Sequence, residues 1–457
     1  MQIERDLGQG SVPRLLASLA IPAVTAQLIN LLYNVVDRIY IGHIPGIGAA
    51  ALTGVGLFMP ILMFINASAA LAGSGGAPRA AIALGRNDHD AAERILGNCF
   101  TLLLILAVVL TAGFYAAAPT LLRLFGASGV TLPYALEYSR VYILGSVTVL
   151  LVLGMNPFIT TQGFARISML TTAIGAVINI VLDPVFIFGL GLGVRGAAIA
   201  TVLSQAVGAV WILRFLTGAK TILRLRMRNM RLIPRVILPC LALGASTFVM
   251  FSTESLLSIS FNSSLAVYGG DMAVGAMTVI TSAAQLNLLP MQGVCQGGQP
   301  IISYNFGAGR HERVKQAFML QLGVCAGYAA LFWALILALP HLFARLFIDD
   351  AQLVAYTAWT MRVYMAGIFA VGFQCACQQA FMALSQARIS LLMACLRKLI
   401  LLIPLIFILP RLPFFSDRQV FAVFLAEPVS DIIAASVTTS IFLARFGRIL
   451  KEGPGQA

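Results

Sequence analysis

Five carboxylates lie inside otherwise apolar stretches of this 457-residue chain: Asp37, Asp183, Glu254, Glu427 and Asp431. An acid held in hydrocarbon costs about 2.5–3.5 kcal/mol even on insertion scales, so each one needs a reason to be there. Tyr33 precedes Asp37 by four residues, and Asn179 precedes Asp183 by four, which puts each pair on one helical face. Thr201 stands on the following apolar stretch. Together these side chains offer carboxylate, amide, phenol and hydroxyl oxygens, a hard-oxygen set that suits Na⁺. Two carboxylates close together in a low dielectric can equally share and hold a proton. The plain alternative is polar bonding between helices with no ion bound.

The remaining acids pose a different problem. Glu427 and Asp431 sit at i, i+4 on the last apolar stretch, and Arg397 and Lys398 lie mid-stretch on the one before. Two acids and two bases at similar depth neutralise one another, so a structural ion pair is expected here rather than a relay. Glu254 has no evident basic partner in the sequence and is a candidate substrate or proton site. Prolines 22, 60, 157, 184, 290 and 404 interrupt apolar stretches. Each frees a carbonyl and permits bending. Pro22 and Pro184, on the acid-bearing stretches, are the two to associate with motion.

The elements that must position these groups follow from composition. The chain is 59% hydrophobic and 10% charged, against about 45–50% and about 25% in soluble domains. Twelve apolar stretches reach the roughly 20 residues a membrane span requires. They start near residues 14, 52, 94, 135, 165, 195, 236, 272, 314, 356, 388 and 419. Strand-type alternation is absent, so the expectation is helices whose backbone polar groups are satisfied internally.

The stretches fall into two equivalent sets. "GGAPRAAIALGRNDH" begins at Gly75 and "GGQPIISYNFGAGRH" at Gly297, an offset of 222 residues. At the same offset Ala165–Leu170 returns as Ala387–Leu392, Arg123-Leu124-Phe125 as Arg345-Leu346-Phe347, and Arg140, Tyr142 and Gly145 as Arg362, Tyr364 and Gly367. This is an internal duplication. Six helices per copy is even, so both copies enter from the same side. The expected fold is an all-α polytopic membrane protein: two six-helix bundles related by a pseudo-two-fold axis along the membrane normal. The expected divisions are an N-terminal segment 1–13, a first lobe 14–218, a basic linker 219–235, a second lobe 236–447 and a tail 448–457. None of the five acids recurs at the offset; Asp37 maps to Ile259 and Asp183 to Leu405. The duplication carries scaffold, and the chemistry is asymmetric.

The net charge of +13 gathers on the loops and tails of the face that holds the N-terminus. That is the positive-inside pattern of a protein with both termini in the cytoplasm. The densest cluster, "KTILRLRMRNMRLIPR" from Lys220 to Arg235, suits a joint near anionic headgroups rather than an RNA surface. No Gly-Lys dipeptide occurs, which excludes a Walker A loop. His311-Glu312 opens an HExxH pattern that fails at Lys315, and four His in all make no metal cluster. "GLGVRG" (Gly191–Gly196) matches GxGxxG but follows an apolar span bearing Asp183 and Pro184, not a short strand, and has no acid about 20 residues on. The N-terminus shows no short apolar core with a cleavage site, so no signal peptide is expected. Seven Cys, none in CxxC, are expected as buried thiols without disulfides. No cofactor, nucleic-acid partner or enzymatic motif is expected.

Taken together, these residues resemble the multidrug and toxic-compound extrusion (MATE) family, in its bacterial MepA-like branch. "LASLAIPAVTAQLINLLYNVVDRIYIG" is similar to the family's first helix, "GGQPIISYNFGAG" to its second-half signature and "GVRGAAIATVLSQ" to the opening of its sixth helix; the match spans about residues 10–447. The resemblance implies two lobes around a V-shaped cavity in a bacterial inner membrane, and export of lipophilic organic cations in exchange for Na⁺ or H⁺ by a monomer. It implies a coupling-cation site at Tyr33, Asp37, Asn179, Asp183 and Thr201, with Pro22 as the helix-1 bend. Glu254 resembles a second-lobe coupling acid of other members, whereas Gln374 and Gln378 stand where a further carboxylate would be expected. A flippase for lipid-linked oligosaccharides is the alternative; it would want arginines lining the cavity, and Arg38 is the residue to read that way.

Overall fold

The computed structural model describes residues 7–347 and 350–453. Among them the chain forms helices joined by short turns. The first half comprises α1 (Val12–Gly42), α2 (Gly48–Gly85), α3 (His89–Leu124), α4 (Leu132–Leu144 with Ser146–Thr161), α5 (Ala165–Gly189) and α6 (Gly193–Thr217). A 74-residue helical run, Pro234–Gly307, follows. At 1.5 Å per residue it is about 110 Å long, far more than one crossing of a bilayer core about 30 Å thick. Its backbone breaks at Gly270, with φ 62° and ψ −160°, a conformation closed to side chains bearing a Cβ. The run is therefore two spans, α7 (234–270) and α8 (271–307). The second half continues with α9 (His311–Ala338), α10 (Ala351–Ala383), α11 (Ala387–Arg411) and α12 (Gln419–Glu452). Twelve spans among the described residues match the twelve apolar stretches.

Two interruptions occupy repeat-equivalent positions. α4 bends by 55° at Gly145, and α10 passes through a 3₁₀ turn, Met365–Gly367, ending at the equivalent glycine. A Cβ at Gly145 would strike the Val202 side chain on α6; one at Gly367 would strike the Pro428 backbone on α12. The glycines therefore let the fourth helix of each copy close on the sixth. Pro22, by contrast, leaves α1 as one unbroken helix. It lies between Ala20 and Val24, whose backbones press on Gly297 and Gly293 of α8.

The repeated Gly-Gly-x-Pro…Gly…His stretch explains how the halves join. Both helices run through their proline; α2 ends at Gly85 and α8 at Gly307, while His89 and His311 open the next helices. The first glycine of each stretch is a crossing point between halves: Gly75 packs on the Cys240 carbonyl of α7, and Gly297 on Leu19 and Ala20 of α1. The last glycines meet each other's helices. Gly85 abuts the Tyr304 carbonyl and Gly307 abuts the Ile82 carbonyl, which is the same contact made twice under the 222-residue offset. The two copies thus seal against each other on the face that carries both termini. Gly307→Ala is expected to lower stability by about 1–3 kcal/mol through overpacking at this seam. Gly56→Ala on α2, where a Cβ meets nothing within 4 Å, is the control in a thermal-unfolding comparison.

Burial follows the same exchange. The first turns of α1 (Leu15, Leu16, Leu19) bury against Phe306, Phe318 and Phe442 of the second half. Ile237 and Cys240 at the start of α7 belong to the core of the first half. Polar straps extend this cross-packing. Asn305 donates to the Leu7 carbonyl at 2.9 Å and Arg313 to those of Gly10 (2.8 Å) and Gln9 (3.2 Å), while Arg310 reaches Gly8. The seven Cys are free thiols.

Candidate functional site

The acids of the first half converge where α1, α5 and α6 meet. Asp183 is fully buried, Asn179 and Thr201 are buried, and Asp37 is half-buried. The Asn179 amide donates to Asp183 Oδ1 at 3.3 Å and to Thr201 Oγ1 at 3.4 Å; Thr201 in turn donates to the Ala197 carbonyl at 3.0 Å. Asp37 faces Asp183 from α1, one turn beyond Tyr33, and Tyr33 adjoins both. The backbone is shaped for this. Pro184 follows Asp183 directly and the helix continues as a π turn, Val185–Gly189, a local unwinding common at functional sites. Phe188 of that turn meets Tyr40 of α1 edge-on at 6.4 Å, so Tyr33, Asp37 and Tyr40 form the α1 face turned toward α5.

The donor count in this cluster falls short of the acceptor count. Asp37 Oδ1, Asn179 Oδ1 and Asp183 Oδ2 are buried and have no hydrogen-bond partner. A buried unsatisfied oxygen costs about 1–3 kcal/mol, more when charged. Three in one place are what a cation or a proton would satisfy. No cluster of three or more His, Cys, Asp or Glu fit for a multivalent metal exists among the described residues. Two carboxylates with neutral oxygens suit a monovalent hard cation.

Sequence reasoning missed Tyr138 and Tyr142, on α4. Both are buried, and they stack on each other at 6.0 Å with Phe58 of α2 edge-on to both at 5.7 and 5.3 Å. Tyr138 lies beside Asp37, Tyr33 and Thr201, and Tyr142 beside Tyr33 and Asp37. The signal was available: two phenols at i, i+4 in an apolar span, where the polar tip of a buried Tyr wants a partner.

In the second half the expected four-residue ion pair divides. Arg397 alone serves both acids of α12, with Nε to Asp431 Oδ1 at 2.7 Å and a terminal nitrogen to Glu427 Oε1 at 3.1 Å. Lys398 does not join them. It pairs with Glu254 of α7 and donates to the Met250 carbonyl at 3.0 Å. The expectation that Glu254 lacks a basic partner is therefore corrected. The reason is angular: consecutive residues on a helix point about 100° apart, so Arg397 faces α12 while Lys398 faces α7. Both stand on a second π turn, Leu396–Leu402. Gln374 and Gln378 line a small cavity with Arg397 and Lys398. Gln374 Oε1 is unpartnered, while Gln378 donates to the Ser390 carbonyl at 3.4 Å. Glu254 is half-exposed and does not line that cavity.

Comparison with known proteins places this architecture. The MatE family model matches residues 22–185 and again 246–408, one match per copy. The chain is similar to the multidrug export protein MepA of Staphylococcus haemolyticus strain JCSC1435, at 23% identity over 95% of this chain and 94% of that protein. It is similar to the protein of the same name in Staphylococcus aureus strain NCTC 8325, at 24% identity over 91% of each. A solved structure described as MATE in the bent conformation superposes with a TM-score of 0.90 at 25% identity, covering 99% of this chain and 98% of that one.

Proposed function

The chain belongs to the MatE family, and on that premise we propose that it is a multidrug exporter: a secondary antiporter that expels lipophilic organic cations in exchange for Na⁺ or H⁺. It is a multi-pass membrane transporter and not an enzyme. The observation that carries the coupling role is the set of unpartnered buried oxygens on Asp37, Asn179 and Asp183. A monovalent cation or a proton bound there would draw α1 toward the π turn of α5. α1 also packs against α8 at Ala20 and Val24, on either side of Pro22. Occupation therefore acts on the helix that links the first lobe to the second. Coupling ion and substrate compete through the equilibrium between lobe arrangements, and each acts only by binding the two arrangements differently.

The charge bias supports a cytoplasmic position for the face carrying the termini and the linker, and the proposed location is a bacterial inner membrane. The seam at Gly85 and Gly307 then closes the cytoplasmic side. The working unit is a monomer of two lobes, 14–218 and 236–447, with no bound cofactor; the coupling ion is cargo. Gln374 and Gln378 offer the second lobe's polar contacts to substrate, on the cavity wall beside Met250, while Glu254 stands outside that wall, paired with Lys398. The flippase alternative is disfavoured because the two arginines that could serve it among the described residues are otherwise placed. Arg397 is held by two carboxylates, and Arg38 is exposed beside Asp37.

The test is ethidium accumulation in a pump-deficient bacterium. Cells expressing the chain are expected to hold less dye, and collapsing the proton and Na⁺ gradients together should erase the difference. Equal accumulation with and without the chain, at verified expression, would contradict export.

A further inference from the structure

The segment between Thr217 and Pro234 joins the last span of the first copy to the first span of the second, so it lies at the membrane surface. It is not a loose connector. Gln162 Oε1 accepts from Thr221 Oγ1 (2.8 Å), Ile222 N (2.7 Å) and Leu223 N (2.9 Å). Asn98 accepts from Ile233 N at 2.6 Å and donates to the Asn229 carbonyl at 3.3 Å. Thr221, Leu223, Leu225 and Asn229 face inward and are buried. Lys220 and Arg224, 226, 228, 231 and 235 all face outward, with no acid among them. Glu93 offsets Arg226 and Asp90 offsets Arg228, each at 3.3 Å. Lys220, Arg224, Arg231 and Arg235 have no ionic partner among the described residues. Among these cations stand exposed apolar side chains: Met227 at 86%, Leu232 at 39% and Ile233 at 37%.

We propose that this strap is a docking surface for anionic phospholipid headgroups. The unpaired cations meet the phosphates, and Met227, Leu232 and Ile233 enter the acyl boundary. Cations alone would suit any phosphate. An exposed Met amid them, next to two helix ends in the membrane, fits a lipid surface. The strap is already held extended by Gln162 and Asn98, so binding pays little ordering entropy.

The test uses the full chain in detergent, offered equal phosphatidylglycerol and phosphatidylcholine, with bound lipid read by native mass spectrometry. Wild type is expected to retain phosphatidylglycerol in preference. Each cation removed near an anionic surface costs about fivefold, so Lys220→Gln/Arg224→Gln/Arg231→Gln/Arg235→Gln should lose that preference tenfold or more. The variant Arg123→Gln/Arg345→Gln/Arg411→Gln/Arg418→Gln, four exposed cations on the opposite face, should keep it. If the first quadruple variant does not elute as a folded monomer, Arg231→Gln/Arg235→Gln gives the same readout on a smaller scale. Equal loss in both quadruple variants, or no loss in the strap variant, overturns the proposal. So does displacement of the lipid by millimolar glycerol phosphate, which would mark a site for free phosphate.

Discussion

Asp183→Asn is expected to abolish gradient-driven export, lowering the initial rate by about 100-fold or more, with the protein still folded and inserted. Residues that only support a bound cation's ligands are worth about 10–100-fold; Asp183 would be a ligand itself. Its Oδ1 already takes the Asn179 amide, leaving Oδ2 buried and unpartnered for the cation. Asn preserves shape and removes the charge. The empty site then holds one buried carboxylate where there were two, so stability should hold or rise. Thermal unfolding in detergent, run beside the rate measurement, separates this from misfolding. A variant that unfolds at the wild-type temperature and exports at the wild-type rate would remove Asp183 from the coupling site.

Arg397→Met carries the second large effect, and it is one of stability. Arg397 is the one cation that bonds Glu427 and Asp431 among the described residues, and both acids are buried. Breaking a buried pair by removing one partner costs about 3–5 kcal/mol, because the abandoned charge stays behind. The expected outcome is a marked fall in Tm and in the yield of folded protein. Arg397→Met/Glu427→Gln/Asp431→Asn should recover much of the loss, since it removes the stranded charges as well. Lys398→Met should cost less, because Glu254 is half-exposed and can turn to water. Failure of the triple variant to recover would mean that Arg397 matters for packing rather than charge.

The contrast between these two clusters shows what the sequence could and could not tell. The apolar stretches located the twelve spans, and the repeat offset paired the two copies, Gly145 with Gly367 among them; that these glycines break α4 and α10 emerged only from the structure. The five residues of the candidate site, which the structure brings together, were legible because an acid in hydrocarbon is costly, and i, i+4 spacing names its partner on the same helix. Which neighbouring helix each of two adjacent residues meets was not legible. Spacing along one helix does not say which neighbour each face meets, so Lys398 was assigned to α12 when it turns to α7. The same limit hid Tyr138 and Tyr142. The linker's basic character was plain, yet its pinning by Gln162, Glu93 and Asn98, each about 60 to 135 residues away, depends on tertiary contact.

The central claim is that Asp37 and Asp183 hold the ion whose gradient drives export. Its most direct test is ethidium movement in proteoliposomes, wild type beside Asp183→Asn, under an imposed Na⁺ gradient and then under a pH gradient. Uphill movement by wild type alone is predicted, and the gradient that sustains it names the ion. Uphill movement by Asp183→Asn at the wild-type rate, or none by folded wild type under either gradient, would contradict the claim.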